Sequence, residues 1–156
     1  MDPVDTKILR TLMTDGHMTN ARLAKAVGLS ESATLERVRR LEGSGIIQGY
    51  AALVEPSRVG RGLEVLIHFS LRNQSLEDVL RFEKSMMGLD EVLSCSQVLG
   101  RFDFVAQVAV KDVHALERFI NEKLIPLGVI DRMESLTVLK MIKRFHPPLP
   151  LDGEGS

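Results

Sequence analysis

The side chains able to act on a ligand or a proton are few and dispersed in this sequence. The candidate proton carriers are His17, His68, His114 and His146, which fall on a helix turn, a strand face, a helix start and the tail. No His-x-x-x-His spacing links them and no nucleophile–base pair accompanies them, so they read as surface or interface histidines rather than as a catalytic set. Cys95 is the single cysteine, which excludes an internal disulfide and argues against a structural zinc site. It reads as a small hydrophobe in a strand rather than as a redox group. Gly100 follows no glycine-rich run leading into a helix, so it is no phosphate loop. Its expected conformation is a turn with positive φ. Asp103 is the one acid flanked by apolar strand residues. It reads either as a ligand for a bound small molecule or as a structural carboxylate capping nearby amides.

The arginines are better organised. Residues 30–42 can be placed on a helix at about 100° per residue. Thr34, Val38 and Leu41 then share one side, and Ser32, Ala33, Glu36, Arg39 and Arg40 the other, with Arg37 on the flank. The exposed face has small residues at its N-terminal end and guanidinium groups further along. A recognition helix enters the DNA major groove by that end. Ser30 and Ser32 would allow close approach, and Ala33 could meet a thymine methyl. Arg37, Arg39 and Arg40 could pair with phosphates or read guanine. The competing reading is a solvated face whose arginines pair with Glu36 or Glu42. The surrounding elements favour DNA, although a winged helix can also serve only as a protein-interaction module.

Those elements are three short helices. Asp2 can cap the first, with Pro3 at its first position and Ile8, Leu9, Leu12 and Met13 as its stripe. Thr19 can cap a second carrying Leu23, Ala24 and Val27. The turn Gly28-Leu29-Ser30 leads straight into the third, the spacing of a helix-turn-helix. Ile46-Ile47 and residues 50–54 are expected to form a short wing hairpin. The N-terminal domain is thus placed at 1–54 and a punctuated linker at 55–62.

Beyond it the period changes. Val65, Ile67, Phe69 and Leu71 alternate as a strand, and Ser75 with Asp78 starts a helix carrying Leu76, Val79, Phe82 and Met86. Residues 92–99 form a second strand. Phe102, Phe104, Ala106, Val108 and Val110 alternate as a third. Asp112 caps a helix with Val113, Leu116, Ile120 and Leu124, and 129–143 holds the last strand. The order β-α-β-β-α-β over 63–145 is ferredoxin-like, making the whole chain α+β. The tail 146–156 is rich in Pro and Gly. Two helices cover one face of a four-stranded sheet. The other face, with Leu66, His68, Val105 and Gln107, is semi-apolar and is expected to meet a second copy of the sheet.

The chain has 156 residues, 44% hydrophobic and 26% charged, as an ordinary globular protein does. Its net charge of −1 does not advertise nucleic acid; residues 1–62 hold 9 Lys/Arg against 7 Asp/Glu, and 63–156 hold 11 against 14. No apolar run approaches a membrane span and Met1-Asp2-Pro3 opens no signal peptide, so a cytoplasmic location is expected.

The sequence resembles the leucine-responsive regulator/AsnC family, the feast/famine regulators. The matching stretches are Asp5-Thr6-Lys7-Ile8-Leu9, Thr19-Asn20-Ala21-Arg22-Leu23-Ala24 and Val27-Gly28-Leu29-Ser30. Arg37-Val38-Arg39-Arg40-Leu41-Glu42, Gly45-Ile46-Ile47 and Gly49-Tyr50 continue the series. Glu91-Val92-Leu93, Gly100-Arg101-Phe102-Asp103-Phe104, Val138-Leu139-Lys140 and Leu149-Pro150-Leu151 extend it over nearly the whole chain. The resemblance implies a transcription regulator with double-stranded DNA and an amino acid or related metabolite as partners. It implies a homodimer, often assembled into an octamer of four dimers, and no cofactor. It places the effector near the turn at 100–104, where dimers meet. We therefore expect Gly100, Arg101 and Asp103, with Glu134 and Ser135 of the last strand, to border a pocket. Phe102 and Phe104 are expected to face the core, which would turn Arg101 and Asp103 toward that interface. Asp103 would take an ammonium and Arg101 a carboxylate.

Three positions depart from the pattern. Glu36 stands where a basic residue is common, and Arg101 where an acidic or small polar one is frequent. Phe145-His146-Pro147-Pro148 replaces a threonine-rich stretch. Two alternatives share the architecture: an enzyme resembling siroheme decarboxylases, and an architectural DNA-packaging protein.

Overall fold

The computed structural model describes residues 1–143. The expectations placed on His146 and on the tail lie outside the described residues. The chain divides into two compact units, broken between Leu53 and Val54.

The first unit contains α1 (Pro3–Thr14), α2 (Asn20–Val27) and α3 (Glu31–Gly43). Each begins on a side chain that satisfies a helix-end N–H. Asp2 and Asp5 form a reciprocal capping box on α1, with Pro3 at the first position. The Thr19 hydroxyl accepts from the Arg22 N–H and the Ser30 hydroxyl from the Ala33 N–H. Gly28 ends α2 at φ 79°, a left-handed conformation that costs glycine nothing. Only Leu29 separates that cap from Ser30. Ile8, Leu9, Leu23, Val27, Val38 and Leu41 form the core.

The expected wing hairpin does not form. No strand occurs between α3 and Pro56. The segment folds back on α3 instead: the Ile47 N–H donates to the Leu41 carbonyl, and the Tyr50 hydroxyl to Glu42 at 3.1 Å. Gly45, at φ 75°, makes the reversal, and Pro56 opens a 3-10 turn before a second strand could run.

The second unit contains β1 (Leu63–Leu71), α4 (Leu76–Met87), β2 (Val92–Gln97), β3 (Phe104–Val110), α5 (Val113–Arg118) and β4 (Ile130–Thr137). The polypeptide leaves α5 through a π turn and a 3-10 turn that ends on Gly128 at φ 71°. The sheet order is β2-β3-β1-β4, with every neighbouring pair antiparallel. The α4 crossover carries β2 past the slot beside β1, and β3 fills it; this is the ferredoxin-like arrangement. Val65, Ile67, Phe69 and Leu71 point to the helices, with Phe104, Ala106, Val108 and Val110 beside them. Phe82 of α4 closes this layer, its ring 5.1 Å from Phe69 and 4.6 Å from Phe104. Burying one such ring is worth about 1.5–3 kcal/mol.

Some apolar positions lie elsewhere than their periodicity indicates. Leu76 and Val113 occupy first helical turns and are exposed. β2 is an edge strand that stops at Gln97, leaving Val98 and Leu99 in the following turn. Cys95 is exposed on that edge. Partial desolvation and the Glu83 charge raise its thiol above the ordinary range, so it remains a thiol rather than a reactive thiolate.

Candidate nucleic-acid interface and ligand turn

In α3, Thr34, Val38 and Leu41 are buried against α1 and α2. Ser30, Ser32, Glu36, Arg39 and Arg40 are exposed, and Ala33 is half-buried. Ser30 carries the cap and also contacts the Ser32 hydroxyl at 3.2 Å. The Asn20 amide donates to the Glu31 carbonyl at 2.8 Å, tying the start of α2 to the start of α3.

The arginines divide. Arg39 makes no hydrogen bond or ion pair among the described residues. Arg37 Nη1 lies 2.5 Å from Asp2 Oδ2 and 2.9 Å from Asp5 Oδ1. Arg40 Nη2 reaches both oxygens of Asp5, at 3.0 and 2.8 Å. The expected partners, Glu36 and Glu42, are therefore not the ones used; the acids come from α1. Asp5 is 3% exposed, and Arg37, its side chain 28% exposed, is committed to this clamp. Arg37 is corrected to a brace holding α3 against α1. Arg40, 60% exposed, keeps N–H groups free for a second acceptor. The bond from Arg37 is the main reason the Asp2 carboxyl is held below its usual range, and the same bond to Asp2 leads in raising Arg37. The signals for the clamp are the Asp2-x-x-Asp5 box and the i,i+3 spacing of Arg37 and Arg40, which puts both guanidinium groups on one flank.

In the second unit, the turn between β2 and β3 is fastened by Asp103. Its N–H donates to the Phe69 carbonyl at 2.8 Å, and its own carbonyl accepts from the Val98 N–H at 2.9 Å. Its Oδ2 accepts from the Leu71 N–H and its Oδ1 from the Gln74 amide, at 2.8 and 2.9 Å. Asp103 has the structural-carboxylate role, with both oxygens engaged. A ligand ammonium would have to share them.

Phe102 does not face the core. It is half-buried and stacks on His68, ring centroids 4.9 Å apart. Regular strand begins only at Phe104, so the period-two alternation does not extend back through 101–103. Arg101 lies 4.7 Å and Arg132 5.6 Å from the Phe102 ring, and both reach Glu134, at 3.1 and 3.6 Å. Gly100 lacks the expected positive φ, and a Cβ there would meet nothing within 4 Å. Glu134 and Ser135 separate. Glu134 pairs with His68 on the face away from the helices, and Ser135 pairs with Ile67 on the helix side. The fold thus brings Arg101 to Glu134 and leaves Ser135 on the other side of the sheet. Phe102 and Arg132 are additions that strand periodicity did not identify.

Leu66 pairs with Gln107 and His68 with Val105 across β1 and β3, all four half-buried. Gln107 donates to Glu64 at 3.0 Å, whereas His68 Nδ1 is buried without a partner among the described residues.

A helix-turn-helix unit joined to an antiparallel α+β unit is the plan of a DNA-binding regulator with a separate ligand-binding domain. Residues 1–42 match the AsnC-type helix-turn-helix domain, and residues 64–148 match the Lrp/AsnC ligand binding domain. The leucine-responsive regulatory protein of Escherichia coli (strain K12) is 36% identical over 144 residues, which is 92% of this chain and 88% of the relative. Two solved structures superpose closely. A transcriptional regulator from Neisseria meningitidis in complex with L-Met has a TM-score of 0.89 at 35% identity, covering 96% of this chain and 97% of its own. An AsnC family transcriptional regulator from Agrobacterium tumefaciens has a TM-score of 0.88 at 31% identity, covering 97% and 98%. The chain belongs to the Lrp/AsnC family of transcriptional regulators. Among the described residues, no helix is long and apolar enough to cross a membrane.

Proposed function

We propose that this regulator binds duplex DNA as a cytoplasmic homodimer, with the N-terminal end of α3 in the major groove, and answers to an amino acid rather than catalysing a reaction. The observation that carries the DNA reading is the exposed end of α3. Ser30, Ser32 and Ala33 are small enough for close approach, and Arg39 and Arg40 follow with donors to spare. Glu36 lies between them and disfavours a phosphate, so it contributes to base choice or to register. The second face of the sheet, with Leu66, His68, Val105 and Gln107, is the proposed dimer surface, and four dimers can close into an octamer.

The test is a DNA titration over a range of salt. Arg39→Ala and Arg40→Ala each lower affinity, by about 1–3 kcal/mol for a lost base contact, or with a salt slope about one unit shallower for a lost phosphate contact. Full affinity in both variants, with melting unchanged, rules out this face.

For the effector, the support is the polar cluster at the 100–103 turn and the L-Met bound by the Neisseria meningitidis relative. Gly100, Arg101 and Asp103 with Glu134 form the proposed site; Ser135 remains beside it only through the resemblance. Arg101 leaves Glu134 to take the ligand carboxylate, and Glu134 and Asp103 offer acceptors to the ammonium. Calorimetry with a panel of amino acids on wild type and Arg101→Gln decides it. Binding is expected to fall about tenfold or more for one lost charge-assisted contact. A ligand bound equally by both proteins refutes the site.

A further inference from the structure

A separate cavity opens in the second unit. It lies where the residues before β1, the residues entering β2, the end of β3, and α5 with the π turn that follows it converge. Its volume is about 360 Å³, within the range of small-molecule sites. None of the residues proposed above for the effector lines it. Apolar groups make up part of the floor: Ala115 is half-buried there, and Phe119, 3% exposed, packs on the core beneath it.

The rim is charged, and its charges are unequally satisfied. Arg61, Lys111, Arg118 and Lys123 face Glu91 and Glu122. Lys123 pairs with Glu91 Oε1, 2.6 Å away, while Glu91 Oε2 is buried without a hydrogen-bond partner among the described residues. Burial would raise the Glu91 carboxyl, but the Lys123 bond, the Glu91 N–H and the charges of Lys123 and Arg61 outweigh it and hold it low. Arg61 is fixed differently. Its Nη1 donates to the Asp90 and Ala109 carbonyls, at 2.5 and 3.2 Å, so the guanidinium is held in place by neutral groups. The Lys111 and Arg118 side chains make no hydrogen bond or ion pair among the described residues. Asp112 feels both charges, but its carboxylate is engaged by the Ala115 N–H at the start of α5. With the Glu91–Lys123 pair set aside, three cations, Arg61, Lys111 and Arg118, face two carboxylates, Glu122 on the rim and Asp112 beside it, which leaves one positive charge in excess.

We propose that this cavity binds a small organic monocarboxylate. Lys111 and Arg118 hold its carboxylate beside the fixed Arg61 guanidinium, and its short apolar body lies against Ala115 and Val59. The excess of positive charge selects an anion and rejects a cation. Glu122 disfavours a second negative group on the same ligand. The apolar floor distinguishes an organic acid from a free inorganic anion, since each buried methylene tightens binding roughly fourfold. The site is independent of the effector turn, and both can be occupied on one chain.

The test uses the full-length protein and calorimetric titrations of butyrate, acetate and inorganic phosphate. Butyrate is expected to bind more tightly than acetate, and acetate at least as well as phosphate. Lys111→Gln and Arg118→Gln are each expected to weaken butyrate about tenfold. Both side chains are exposed, so melting should be unchanged. Arg101→Gln should leave butyrate binding intact, which separates this site from the effector turn. Three results each overturn the proposal: no heat with butyrate, equal affinity for butyrate and phosphate, or loss of butyrate in Arg101→Gln with retention in Arg118→Gln.

Discussion

Asp5→Ala is expected to lower the melting temperature of the helix-turn-helix unit and to weaken DNA binding, although Asp5 is buried and touches no DNA. The carboxylate accepts three hydrogen bonds from two arginines of α3 and a fourth from the Asp2 N–H. Removing it leaves Arg37 and Arg40 beside each other without their shared counter-charge. Breaking a fully buried pair costs about 3–5 kcal/mol. Here the arginine side chains are 28% and 60% exposed and can rehydrate, so a loss of about 2 kcal/mol is the better figure. For a unit of this size that is a drop of roughly 8–16 °C. Below the new transition the unit stays folded, but of the clamp between α3 and α1 only the Arg37–Asp2 bond is left, and the Arg40 guanidinium is no longer fixed. DNA affinity should therefore fall even where folding is complete. Asp5→Asn, which keeps one acceptor and loses the charge, should lie between wild type and alanine. Calorimetric melting and DNA titration at low temperature measure both effects. Unchanged melting and unchanged affinity in Asp5→Ala would show that the clamp does not position α3.

This clamp also shows where sequence reasoning reached its limit. The caps at Asp2, Thr19, Ser30, Ser75 and Asp112 were all legible because each side chain bonds a backbone N–H within three residues of itself. The core faces of β1 and β3 were legible because period two persists while a strand remains regular. The Asp5–Arg37 and Asp5–Arg40 contacts join residues 32 and 35 positions apart, and although the Asp2-x-x-Asp5 box and the Arg37/Arg40 spacing are visible, nothing local shows that the two meet. The apolar character of Phe102 matches the β3 alternation and points it to the core, but the backbone bends at 101–103 before the strand begins and turns it to the other face. The wing failed for a related reason. Ile46, Tyr50, Leu53 and Val54 are β-prone, but propensity does not supply a partner strand, and the N–H of Ile47 and the hydroxyl of Tyr50 are satisfied on α3. The family resemblance marked the ligand turn, but the actual contacts of Arg101 and Asp103 depend on the register of β1 against β3 and β4, which only the fold supplies.

That register underlies the other large effect. Val105 lies opposite His68 on the sheet face that no helix covers, with Phe102 stacked on the same histidine. A face holding Leu66, Val105, Phe102 and Leu136 beside a buried His68 Nδ1 with no partner among the described residues is poorly matched to water, which supports the dimer surface proposed above. Val105→Glu places a carboxylate at its middle. In the separate chain the new group can reach solvent and costs little. Between two sheets it would lose its hydration, and the two-fold would bring a second carboxylate from the other protomer into the same interface. A penalty of about 3–5 kcal/mol follows for the assembly, which weakens dimerisation by roughly two to four orders of magnitude. Sizing with light scattering should show monomer at concentrations where the wild type is oligomeric, and the helix-turn-helix unit should melt as before. Leu76→Glu, on the exposed side of α4, is the control and should leave the dimer whole. If Val105→Glu elutes at the wild-type mass with the wild-type melting temperature, the uncovered face of the sheet is not where the protomers meet.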